Sequence, residues 1–119
     1  MAGSSRQTEY VRLNDKYMRE AEELLAKEDF PQASEKLWGA AAEMIKAVAA
    51  KRGLELGTHR SLGDFVVKLH RENPDWNLIG AFHVANSLHM NYYEDWLPDE
   101  AVFEGAKAVK EFVVKLRTL

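Results

Sequence analysis

Cysteine is absent from this chain, which excludes disulfides and thiolate metal sites at once. Long apolar runs are missing too: none approaches the ~18 residues that a membrane span requires. The opening MAGSSRQTEY lacks the apolar core of a secretory signal, so the expected compartment is the cytoplasm. Charge of one sign is not in excess either. Sixteen Lys and Arg stand against 19 Asp and Glu, a formal charge of -3, and bulk charge argues neither for nor against a nucleic-acid partner. No HExxH occurs, no phosphate-cradling glycine motif occurs, and His83 and His89 diverge around a helix. No metal and no cofactor is expected. With only 3 prolines and 7 glycines in 119 residues, each breaker is read individually as an element boundary.

What remains is helical periodicity from end to end, which predicts an all-α fold, a five-helix up-and-down bundle. One domain over 8–119 is expected, with 1–7 a disordered tail. The first helix, near Thr8 to Glu28, places Tyr10, Leu13, Tyr17, Ala21 and Leu24 on one face. Asp29-Phe30-Pro31 opens a second, because proline fits a first helical turn, and Gly53 closes it. Its buried stripe is Ala33, Leu37, Ala41, Met44 and Val48. The small run Gly39 to Ala42 invites close approach by another helix, within the chain or from a second copy. Ser61 with Asp64 reads as a capping box for a third helix, lined by Leu62, Phe65, Val66 and Leu69 and broken at Asn73-Pro74. The fourth helix, about Asp75 to Asp95, is lined by Leu78, Ala81, Ala85, Leu88 and Tyr92. The fifth opens at Pro98-Asp99-Glu100 and carries Val102, Ala106, Val109, Val113 and Leu116. Phe103, Phe112 and Val114 lie off that seam, and more than one apolar stripe per helix predicts a homodimer.

Three blocks carry a family resemblance: Ala33-Ser34-Glu35-Lys36-Leu37-Trp38-Gly39-Ala40-Ala41, then Thr58-His59-Arg60-Ser61-Leu62, then Leu88-His89-Met90-Asn91-Tyr92-Tyr93-Glu94-Asp95-Trp96-Leu97. In order and spacing the chain resembles the archaeal PaREP branch of the HEPN superfamily, from about Tyr17 to Val113. The resemblance implies a helical bundle, a homodimer, and a superfamily rich in RNA-cleaving proteins and in partners of minimal nucleotidyltransferases. Its ribonuclease members carry an Arg four to six residues before a His. Arg and His suit metal-free RNA cleavage, since imidazole exchanges protons near neutral pH and guanidinium holds phosphate charge.

If His89 takes the histidine position, Phe82, His83, Val84 and Ala85 stand where the arginine belongs. Asn86 keeps a polar group one turn upstream, but an amide supplies no charge. Arg52 and His59 fit the pattern literally, yet across a helix end and a loop. The span from Lys51 to Arg71 forms a locally basic edge, with Lys51, Arg52, His59 and Arg60 as candidate binding residues. The expected function is therefore a non-catalytic, homodimeric module that engages a protein or RNA partner. One alternative is a divergent metal-independent endoribonuclease built on His89, Asn86 and Tyr93, with Arg60 as the cation. Another is a regulatory partner of a minimal nucleotidyltransferase. As a structural residue, His89 is expected to bond the backbone or a tyrosine, with Asn86 as a further partner. Tyr92, Tyr93 and Trp96 read as packing residues, and His83 as surface.

Overall fold

Proline sets three of the boundaries. Pro31 lies in the first turn of its helix, behind an Asp29 cap that accepts the Gln32 N–H at 3.3 Å. Pro74 begins a short 3-10 turn, and Pro98 caps the last helix. The computed structural model describes residues 2–119, with side chains from Ser5 onward. Five α-helices follow in order: α1 Ala2–Ala26, α2 Phe30–Lys51, α3 His59–Glu72, α4 Leu78–Glu94 and α5 Asp99–Arg117. The 3-10 turn Pro74–Trp76 joins α3 to α4, and the described residues contain no strand.

Helix α2 is the element on which the others pack, for it touches α1, α3, α4 and α5. Its composition explains the position. A helix hydrophobic on most sides belongs in the interior, and here Leu37, Ala40, Ala41, Ile45, Ala49 and Ala50 are all but inaccessible. The small run is consumed inside the chain. The Tyr17 ring of α1 lies over Gly39, where an added Cβ would come within 3.1 Å of it. Buried Asn14 of α1 donates to the Ala40 carbonyl at 2.7 Å and accepts from Arg117 of α5 at 2.8 Å, which clips three helices together.

Several expectations are corrected. Helix α1 starts at Ala2 rather than near Thr8, so residues 2–7 of the expected tail are helical; Met1 lies outside the described residues. Arg6 accordingly reaches Glu55 at 3.1 Å. Among the described side chains of α1, Asn14, Ala21 and Leu25 are buried, while Leu13 and Leu24 are only partly covered. The third helix opens earlier than Ser61. Thr58 is its cap, accepting the Ser61 N–H at 3.0 Å while its own N–H donates to Ser61 Oγ at 3.0 Å. Asp64 takes no part in that cap and pairs with Arg60 instead. Helix α4 begins at Leu78, because Pro74 starts the 3-10 turn and Asn77 adopts φ +53°. Phe112 is buried rather than off the seam, whereas Phe103 and Val114 are exposed as expected.

The largest change on α4 concerns its last turn. Tyr92 was expected in the stripe but is exposed, and Asn91 is the residue turned inward. The backbone supplies the reason. The chain reverses at Asp95, φ +46°, and leaves the N–H groups of Trp96 and Leu97 without helical partners. Asn91 Oδ1 accepts both, at 2.9 and 2.8 Å, while its Nδ2 donates to buried Ser34 of α2 at 3.1 Å. Asn91→Ala would orphan these groups, and is expected to lower unfolding free energy by about 2 kcal/mol. Urea unfolding measures it, and a loss below about 0.5 kcal/mol would mean that water replaces the amide without cost.

Candidate active site

The three sequence blocks converge on one side of α2. Trp38 of α2 is half-buried, and the His59 ring from the start of α3 stacks on it at 4.7 Å with an interplanar angle of 9°. The His89 ring from α4 stacks on the same indole at 5.0 Å and 30°. The two imidazoles are themselves 5.7 Å apart. An indole sandwiched between them would hold them much further apart, so both lie over one face of Trp38. Phe82 backs the indole at 6.1 Å.

Each imidazole is oriented by a different group. His89 Nδ1 is 2.7 Å from Glu35 Oε1, and a carboxylate only accepts, so Nδ1 carries the proton and Nε2 presents a lone pair in the neutral ring. His59 Nε2 is 2.6 Å from Asn86 Oδ1. The Asn86 amide is held that way round because its Nδ2 donates to the Phe82 carbonyl at 2.8 Å. His59 therefore donates from Nε2, and its free nitrogen is Nδ1. Glu35 and His89 are half-buried and His59 is exposed, so the pair is open on its outer side. The Tyr93 ring meets His89 edge-on at 5.6 Å, and Tyr92 meets Tyr93 at 4.9 Å. Glu35, Trp38 and Tyr92 also line a cleft of about 410 Å³ running along α2 beside Tyr17.

The structure brings His59, Asn86, His89 and Tyr93 together and leaves the basic candidates outside. Arg60 points outward to Asp64 at 3.1 Å, with 88% of its side chain accessible. Arg52 forms a two-pronged pair with Glu72 at 2.7 and 2.9 Å. The hydrogen bond raises the Arg52 pKa and lowers that of Glu72. Lys51 donates to the Leu119 carbonyl at 3.0 Å. The expected partnership of His89 with Asn86 is corrected, since Asn86 serves His59 and Glu35 serves His89. His59, expected in a solvated loop, is the first residue of α3. Glu35 and Trp38 are the site residues that sequence reasoning does not single out, although both stand in the first block, three apart on one helical face. Among the described residues no cluster of three or more His, Cys, Asp or Glu could hold a metal ion. Nitrogen-15 NMR of the neutral rings is expected to find the His59 proton on Nε2 and the His89 proton on Nδ1. The opposite tautomer at either ring would contradict the network.

Comparison with known proteins bears on the family. No curated protein matches the chain. A crystal structure of a Sulfolobus solfataricus protein is similar, at 26% identity and a TM-score of 0.80, covering 89% of this chain and 94% of that one. The archaeal PaREP1/PaREP8 family matches residues 9–113, a span that takes in all three blocks. The chain belongs to the archaeal PaREP1/PaREP8 family.

Proposed function

We propose that this protein is a metal-independent endoribonuclease of HEPN type whose acid–base groups are His59 and His89. The observation that carries the reading is the juxtaposition of two imidazoles over one face of Trp38, each with one nitrogen free. RNA carries its own nucleophile. One imidazole takes the proton of the 2′-hydroxyl, whose oxygen attacks the adjacent phosphorus. The bond from phosphorus to the 5′-oxygen breaks, the other imidazole returns a proton to that oxygen, and a 2′,3′-cyclic phosphate remains. Both protonation states of imidazole are accessible near neutral pH, which suits one residue type to both tasks. Glu35 and Asn86 are positioning residues that fix the two tautomers, in the way a third group orients the base of a catalytic triad.

The geometry favours this alternative over the purely binding module expected from the missing arginine. Arg60 is not required by it. A protonated imidazole supplies positive charge at the phosphate, and both rings already stand within one phosphodiester of each other. Cleavage of unstructured RNA in EDTA tests the reading. His59→Ala and His89→Ala are each expected to slow cleavage by about a hundredfold or more, with helicity by circular dichroism unchanged, and Glu35→Gln to slow it less. Purified wild type that leaves RNA intact would overturn it and restore the binding module. Regulation of a nucleotidyltransferase has no feature of this site in its favour.

A homodimer belongs to the same proposal. Its support is apolar surface on α5 that the bundle leaves uncovered, Phe103 at 44% and Val114 at 63% accessible. The small run of α2 lends no support, being spent against α1. Light scattering at micromolar concentration is expected to give twice the 13.6 kDa chain mass. A monomer there would remove the dimer without touching the acid–base site, all of whose named residues lie in one chain.

A further inference from the structure

We propose that the site takes a short unpaired stretch of RNA, one or two nucleotides long, and holds it by stacking on Tyr93 rather than by a run of phosphate contacts. The inference rests on the acid–base reading of the same site and names what that site selects. Tyr93 is 70% accessible, although it is a large aromatic residue directly beside His89. Its two ring neighbours, His89 at 85° and Tyr92 at 74°, meet it edge-to-face, and neither is stacked on it. With 70% of Tyr93 accessible, a planar base has room to stack on it beside the His89 ring. Every base has a π-face, so such a platform is tolerant of sequence and depends on the base being unpaired.

Charge around the site points the same way. The basic residues adjoining site residues in the chain are already engaged: Lys36, next to Glu35, with Glu20 at 3.5 Å, and Arg60, next to His59, with Asp64. Arg52, upstream of His59, is engaged with Glu72. Glu94 and Asp95, directly after Tyr93, are exposed and acidic, and Glu35 adds a carboxylate at the centre. A long polyanion gains its affinity from many Lys and Arg contacts that release counterions. This surface offers few of those and repels a phosphate chain that extends along α4, so added nucleotides contribute little.

Binding of 2′-O-methyl RNA tests the inference apart from catalysis, because such RNA lacks the nucleophile and cannot be cut. Tryptophan fluorescence of the full chain reads binding of a 2′-O-methyl dinucleotide and of a long unstructured 2′-O-methyl oligonucleotide over a range of salt. The dinucleotide is expected to bind within about fivefold of the long strand, with a log–log salt slope of about -1 for either. Tyr93→Ala, a substitution at an exposed position, is expected to weaken both about tenfold. Arg60→Ala is expected to change neither. A long strand that binds a hundredfold tighter with a steep salt slope, a Tyr93→Ala variant that binds as well as wild type, or no binding of the dinucleotide would each overturn the proposal. Loss of cleavage with this binding pattern intact would count against the acid–base chemistry alone.

Discussion

Two imidazoles can share one face of Trp38 only because α2 is buried on nearly every other side. Helix α2 meets all four other helices. Its alanines let them come close enough that the start of α3 and the middle of α4 reach the same indole. Tyr17 over Gly39 and Asn14 on the Ala40 carbonyl fix α1 on one flank. The remaining flank is where Glu35 and Trp38 emerge, and the histidines of α3 and α4 close over them. Rotating α2 by a fraction of a turn would separate Glu35 from His89 and Trp38 from both histidines.

Two polar devices hold the neighbouring elements in register. The Thr58–Ser61 box starts α3 at His59 rather than at Ser61, which turns that imidazole toward Trp38. Asn91 satisfies the N–H groups of Trp96 and Leu97 and anchors the end of α4 to Ser34. Tyr92 and Tyr93 are thereby left outward, next to His89. A buried amide used in this way costs little while all its bonds are made, and the cost of losing it falls on the very turn that presents the aromatic rings.

Ion pairs divide along the same line. Arg52 and Arg60, cations that the sequence pattern offers to a phosphate site, pair with Glu72 and Asp64, and Lys36, beside Glu35, pairs with Glu20. The groups in direct contact with Trp38 are the rings of His59, His89 and Phe82. A site of this kind works through proton exchange and stacking, both of which operate at contact distance, and not through long-range attraction of a polyanion.

The sequence by itself determined the all-helical architecture, the proline breaks near Pro31, Pro74 and Pro98, and the stripes of α2, α3 and α5. These features are local: periodicity and backbone chemistry act within a few residues, and Leu37, Leu69 and Val109 are buried where spacing puts them. His89, Asn86 and Tyr93 were legible as candidates for the same reason, since one helix aligns them at spacings of three and four. Their partners were not. His59 to Asn86 spans 27 residues and Glu35 to His89 spans 54, and no periodicity relates side chains on different helices. Tertiary structure alone decided that His59 joins the site while Arg60 leaves it: adjacent residues on a helix point about 100° apart, and only the packing of α3 on α2 and α4 selects which of the two faces Trp38. It also decided that Asn91, not Tyr92, turns inward, since that choice depends on two N–H groups in a turn beyond the helix.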